Sequence, residues 1–349
     1  MLESSDTRAL PSEEGPEGIP AEVPKETSVE PLKEQAVEPP KEQPRAEPRV
    51  RKLDIISRRN VFFLVSLLII VPGIFFMATR GFLLGIDFAG GTEFTVSFAN
   101  HPTVQQVQSA VAAENINGSV IQAGSGYIIR ALPLLPARQK TVEDHLQAKL
   151  GPMVVQSVLE VGGTIAGETI EFALLAVVLA AVAILFLLAI RFRNVPGGWR
   201  AGFQFGGAAL AALLHDVFLL TGIFSILGKV LNLRIGEIDS LFVTAVLTVV
   251  GFSVHDTIVV FDRIRENLRV SQRLSFEQVV NLSIMQTAAR SIITSFTVVL
   301  VLAAILISGG DSLKGFALAL MIGIVSGTYS SIFNAAPLLV VWRRLQPLR

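Results

Sequence analysis

Residues 241–261 read LFVTAVLTVVGFSVHDTIVVF, an apolar run whose only ionisable side chains are the adjacent His255 and Asp256. About 20 apolar residues in a helix cross the hydrocarbon core of a bilayer. This run is long enough to span, and it carries an acid where a charge is costly. Working outward, five more stretches have the same character, so the spacing predicts spans over 61–79, 170–190, 201–227, 239–262, 290–308 and 315–342. The 201–227 stretch is likewise broken only by a His-Asp pair, His215-Asp216. The 349 residues are 51% hydrophobic, with a mean hydropathy of +0.58, which places the chain in the membrane class.

Flanking charge orients the spans. Arg58 and Arg59 precede span one, and Arg191, Arg193 and Arg200 separate spans two and three. Arg263, Arg265, Arg269 and Arg273 follow span four, within a segment at 263–289, and Arg343, Arg344 and Arg349 follow span six. The positive-inside rule assigns these loops and both termini to the cytoplasm. The long insert at 85–165 is then extracytoplasmic.

Inside that insert the periodicity changes. Thr92–Phe98 alternates as a strand, and Thr103–Ile116 has helical spacing. Val120–Gln122 and Tyr127–Leu132 flank Gly124-Ser125-Gly126 as a hairpin. Thr141–Leu150 reads as a second helix with Thr141 as its N-cap, and Val154–Val161 as a last strand. The order β-α-β-β-α-β is that of a ferredoxin-like α+β unit. The expected fold is therefore a polytopic α-helical membrane protein of six transmembrane helices with a small ferredoxin-like domain outside.

Residues 1–50 differ from the rest. They hold twelve acidic and six basic residues, nine of the seventeen prolines, and no Phe, Trp or Tyr. Such a composition cannot bury enough apolar surface to offset its ordering entropy, so a disordered cytoplasmic tether is expected. A charged, Pro-rich segment without an apolar core is also no signal peptide. The sequence has no cysteine, which excludes disulfides, thiolate metal sites and thiol nucleophiles. No paired-carboxylate or His-rich metal spacing stands out in the insert. No enzyme activity, cofactor, metal or nucleic-acid partner is expected.

Ionisable residues at membrane depth mark ion or proton paths by default. Asp256 lies six residues before Asp262, about 9 Å inside that boundary at 1.5 Å per residue. Arg290 opens span five from the same side. A carboxylate that pairs with an arginine and releases it on protonation is a two-state switch; the plain alternative is a permanent structural ion pair. Asp216 divides evenly between a proton-path and a structural role. His215 and His255 invite a relay, but adjacent helix residues do not face the same way, so ordinary packing or hydrogen bonding is the simpler reading of each.

Two glycine-rich stretches frame the insert. Gly85-Ile-Asp87-Phe-Ala-Gly90-Gly91-Thr92 leaves span one, and Val161-Gly162-Gly-Thr-Ile-Ala-Gly167-Glu168 enters span two. The first lacks both GxGxxG and GxxxxGK[ST], which argues against a phosphate loop. Rigid junctions are expected at both places. Gly206, Gly207, Gly315, Gly323 and Gly327 read as close helix packing.

These motifs together resemble SecF, a family that forms the smaller half of the SecD–SecF protein-export complex of bacteria and archaea. Gly85–Thr92 looks like its G-I-D-F-x-G-G-T signature, and Val161–Glu168 is similar to its V-G-x-x-x-G-x-E junction. His215-Asp216 falls on its H-D pair. Residues 251–267, GFSVHDTIVVFDRIREN, resemble G-Y-S-I-N-D-T-I-V-V-x-D-R-I-R-E-N, and ARSIITS at 289–295 resembles R-T-x-x-T-S. The resemblance covers about 55–345. It implies an accessory of the SecY translocon in the bacterial plasma membrane, within the resistance-nodulation-division superfamily. Such an accessory works with a separate SecD subunit and uses the proton gradient to pull unfolded preprotein outward. It also implies that Asp256 is the proton-path aspartate and Arg290 the essential arginine, completed by an aspartate of SecD. The chain departs from the pattern at His255 (usually Asn), Phe252 (Tyr), Ser291 (Thr) and Gly163 (a common Pro), and the first of these bears directly on the proton affinity of Asp256.

Overall fold

The computed structural model describes residues 54–114, 116, 119–271 and 273–347; the tail expected over 1–50 lies outside them. In chain order the elements begin with α1 (Arg59–Arg80), α2 (Ile86–Ala89), β1 (Gly91–Phe98), α3 (Val104–Ala113) and β2 (Ser119–Ala123). Next come β3 (Gly126–Ala131), α4 (Pro136–Leu150), β4 (Met153–Val161), α5 (Gly163–Arg191) and α6 (Gly198–Ser225). The last are α7 (Ser240–Val270), α8 (Phe276–Ser308), α9 (Asp311–Ser330) and α10 (Ala336–Leu345). A π-turn at Ile226–Val230 lengthens α6, and another at Ser331–Ala335 joins α9 to α10.

Among the described residues six helices are long and apolar enough to span: α1, α5, α6 with its π-turn, α7, α8, and α9–α10 together. They divide by burial. The most apolar stretches of spans three, four and six are 39%, 44% and 56% buried, against 11% for spans one, two and five. Spans three, four and six therefore form the interior of the bundle, and the other three present most of their surface outward. The apolar part of the interior includes the Phe192–Phe205–Phe261 ring cluster and the Phe224–Phe242 contact, with buried polar residues of spans three, four and six between them.

The inserted domain is one antiparallel sheet in the order β2-β3-β1-β4. With the crossovers α3 and α4, this is the ferredoxin-like arrangement expected from the alternation. Phe94, Val96, Phe98, Tyr127 and Ile129 point to one face and close a small core with Val107, Val111, Val142 and Leu146. Thr103 caps α3 in a full capping box with Gln106. The second helix starts five residues before the expected one. Pro136 occupies its first turn, where its fixed φ suits the helix and its missing N–H costs nothing. Thr141 is consequently not a cap; its hydroxyl donates back to the Ala137 carbonyl at 3.0 Å.

The helices of spans four and five also run through the 263–289 segment, interrupted only around residues 271–275. Hydropathy marks the hydrocarbon depth and not where a helix ends. Ion pairs of Arg263 with Glu266 and Arg265 with Asp262 support the turn beyond it.

Candidate functional site within the spans and at the outer junction

Asp256 sits in the middle of α7, half-buried. Ser291, on α8, donates its hydroxyl to Oδ1 at 2.6 Å. Oδ2 is buried and has no partner at hydrogen-bonding distance among the described residues. Arg290, one residue before Ser291, is exposed and makes no ion pair with Asp256 within 4.0 Å. The permanent ion pair weighed from the sequence is thus not formed. His255 is exposed on the outward face of α7.

Asp216 is built differently. It is 1% exposed and accepts hydrogen bonds from Ser253 of α7 at 2.7 Å and from Ser326 and Ser330 of α9 at 2.6 and 2.7 Å. His215 Nδ1 lies 3.0 Å from Oδ1. The imidazole folds down onto the carboxylate of the next residue, although the two helix positions do not face the same way. A hydrogen bond to a charged group is worth about 1.5–3 kcal/mol. Several of these outweigh the roughly 2.5–3.5 kcal/mol insertion cost of one aspartate at mid-bilayer. Asp216 therefore binds spans three, four and six together.

The sequence reading missed the hydroxyls. Span six carries Gly327-Thr-Tyr-Ser-Ser331, and each hydroxyl of that run has a partner. Thr328 contacts Ser295, Ser330 reaches Asp216, and Ser331 meets Thr257 at 2.9 Å. The Tyr329 hydroxyl donates to the Phe62 carbonyl at 3.1 Å. A run of four hydroxyl residues in a charge-free span is a readable signal. The π-turn starting at Ser331 adds to it, since π-bulges recur at functional sites.

At the junction with the inserted domain, Gly85–Thr92 grips the loop that leads into span four. Gly85 N–H donates to the Ile238 carbonyl, and Ile238 N–H to the Leu83 carbonyl, both at 2.8 Å. Asp87 accepts from Ser240 N–H at 3.0 Å, at the first turn of the helix that carries Asp256. Gly91 has φ +116°, and a Cβ there would lie 2.3 Å from the Ala131 carbonyl oxygen, so only glycine fits. Thr92 is fully buried and accepts from Leu134 N–H at 3.0 Å. Gly162, Gly167 and Glu168, by contrast, are exposed at the start of α5, with open space around both glycines.

Arg130 of β3 is the hub of this junction. Its Nε donates to Glu93 of β1 at 2.7 Å, Nη2 to Glu237 in the loop before span four, and Nη1 to the Leu84 carbonyl at 3.2 Å. Burial pushes the Glu237 carboxyl above its ordinary value, with Arg130 opposing. Burial likewise raises Asp239. A carboxyl raised in the folded state binds its proton more tightly there than when unfolded. Its contribution is fully present at low pH and is lost as pH rises through the folded pKa. The melting temperature of the junction is therefore expected to be higher near pH 5 than near pH 8, and Glu237→Gln to flatten that difference. An unchanged pH dependence in Glu237→Gln, followed by scanning calorimetry, would remove Glu237 from this account.

Similarity to known proteins covers both regions. The model of the C-terminal part of the protein export membrane proteins SecD/SecF matches residues 141–345, and the SecD/SecF GG motif matches residues 75–100. The chain is 43% identical over 311 residues to the protein translocase subunit SecF of Thermobaculum terrenum, covering 85% of this chain and 96% of that one. It is 38% identical over 304 residues to the subunit of the same name from Anaerolinea thermophila, covering 83% and 94%. The crystal structure of SecDF, a translocon-associated membrane protein from Thermus thermophilus, matches with a TM-score of 0.75 at 31% identity over 85% of this chain. The chain spans 40% of that longer protein.

Proposed function

The chain belongs to the SecD/SecF family of protein export membrane proteins, as a SecF-type translocase subunit, and from that premise we propose that it couples proton flow to preprotein movement with a SecD-like partner. The observation that carries this reading is the unfinished state of the Asp256 site. One carboxylate oxygen is held by Ser291 while the other is buried without a partner, and Arg290 lies nearby in sequence to Ser291, exposed and without a carboxylate. A buried polar atom left unpaired costs about 1–3 kcal/mol, so such a site is poised to take a proton or a counter-group. The exposed face of α7 that carries His255, and the exposed Gly162, Gly167 and Glu168 at the start of α5, suit close approach by that second subunit. Asp216 serves as the fixed joint beside this site and not as a proton carrier.

The working assembly is then the SecY channel with both subunits in the bacterial plasma membrane. The ferredoxin-like domain contacts unfolded preprotein outside, and both termini are cytoplasmic. Two other readings have different consequences. A small-molecule exporter of the same superfamily would move drugs without SecY, and a scaffold that only organises the channel would not need Asp256. Vesicles carrying SecY and both subunits test the proposal directly. Collapsing the imposed proton gradient is expected to remove the stimulation of translocation, and stimulation that survives the collapse would overturn it.

Orientation has its own test, helped by the absence of native cysteine. A Ser125→Cys variant, placed in the exposed hairpin turn, is expected to react with an impermeant maleimide in intact cells. Ser271→Cys, between α7 and α8, is expected to react only after permeabilisation. The reverse pattern would invert the topology.

A further inference from the structure

Span one packs on span three, and span five packs on span six, but spans one and five are left apart. Between them runs a trough floored by α9. Its two halves, of about 600 and 500 Å³, share Val299, Val325 and Tyr329 and are lined almost wholly by carbon. Most polar groups in the floor are satisfied: the Tyr329 hydroxyl donates to the Phe62 carbonyl, and Ser295 meets Thr328; His215 Nε2, at the second half, is buried without a hydrogen-bond partner among the described residues. Phe62, Phe333 and Tyr329 stack on one another, with centroids 4.3 and 5.1 Å apart, which gives the floor a fixed shape. Ile69, Phe296 and Val325 are 47%, 59% and 55% exposed along it.

The occupant follows from depth, length and charge. The trough lies between membrane-crossing helices, and the part lined by residues of spans one and five, from Phe62 and Ile292 onward, is at hydrocarbon depth. Along α8 it runs from Met285 to Val299, about 21 Å at 1.5 Å per residue, whereas one leaflet of hydrocarbon is about 15 Å deep. At the end marked by Ile55, Arg58 and Arg59 stand one turn before Phe62, Arg58 exposed and Arg59 partly buried with Nη1 donating to the Ile56 carbonyl at 3.4 Å. We propose that this trough is a phospholipid site, in which one acyl chain lies along α1 and α8 over Val325 and an anionic headgroup sits at Arg58 and Arg59. Carbon walls alone would not select a lipid from the bilayer, since lipid tails are as apolar as the walls. Selection comes from the two arginines, each of which favours an anionic headgroup.

The full-length chain, reconstituted in phosphatidylcholine vesicles with chain-labelled phosphatidylglycerol or phosphatidylcholine, tests this by electron spin resonance of the motionally restricted fraction. The wild type is expected to hold one more restricted lipid per chain than Val325→Trp, which fills the trough. Val299→Trp, which fills it from the opposite wall, should agree if both variants keep wild-type helix content. Phosphatidylglycerol should be preferred by at least about fivefold, and Arg58→Gln with Arg59→Gln should bring that preference close to parity. Equal restricted lipid in wild type and both tryptophan variants would overturn the site, because the trough would then hold no specific lipid or be covered by protein. A preference unchanged by the arginine substitutions would overturn the headgroup assignment.

Discussion

Asp256→Asn is expected to abolish proton-gradient-dependent stimulation of preprotein translocation, down to the level of vesicles that lack the subunit, while the chain still inserts. Asparagine keeps the shape of the side chain and can still accept from the Ser291 hydroxyl, now 2.6 Å from Oδ1. What it loses is the oxygen that is buried without a partner and with it the ability to exchange a proton. Arg290→Met should give the same phenotype by a different route. The exposed guanidinium is not needed to hold α8 in place, because Ser291 and the hydroxyl contacts beyond it do so. Its removal takes away the charge that a proton-dependent pairing would use. Ser291→Ala should be milder, since it removes one hydrogen bond, worth about 1.5–3 kcal/mol to a charged group, but leaves the carboxyl. Full translocation by Asp256→Asn in membranes with an imposed gradient would eliminate the motor reading and favour the scaffold.

The second large effect is structural. Arg130→Ala is expected to destabilise the join between the inserted domain and the spans by about 3–5 kcal/mol, the cost of leaving buried charges unpaired. Glu93 and Glu237 are 7% and 12% exposed at their side chains, and Arg130 is 13% exposed. Water therefore cannot replace the lost guanidinium cheaply. Hydrogen exchange should rise in β1, in β3 and in the loop around Glu237, and hardly at all in α8. Adding Glu93→Gln and Glu237→Gln to Arg130→Met should recover most of the loss, because that triple variant buries no charge. Exchange in β3 that is indifferent to Arg130→Ala would show that the sheet's own core suffices to hold this edge.

Much of this architecture is legible in the sequence because its determinants are local. A run of about 20 apolar residues reports a span wherever it stands, and the alternation of Thr92–Phe98 reports a strand by itself. Pro136 was harder to read, since a proline ends one helix and opens another depending on what surrounds it. The Asp216 cage was hidden for a different reason. Its donors Ser326 and Ser330 lie 110 and 114 residues away, and an isolated serine in a span looks like packing. Only the placement of α9 against α6 and α7 makes the three hydroxyls converge. Asp256 and Arg290 stood out at once because charge at membrane depth is rare, but the contact of Ser291 with Asp256 required knowing how α7 and α8 face each other.

Gly73 of α1 and Gly222 of α6 are close enough that a Cβ on either would lie 3.0 or 2.7 Å from the other's Cα. The two backbones touch, and Ser225 closes the same pair one turn further on by donating to the Gly81 carbonyl at 2.7 Å. Neither position admits a side chain without pushing the two helices apart. Spans one and three thus constitute a single stiff keel, anchored to span four through Asp216. In the proposed motor, a displacement triggered by protonation at Asp256 would have to be taken up elsewhere, where α7 and α8 meet and at the π-turn Ser331–Ala335, and its amplitude would be limited by how far those two places can give.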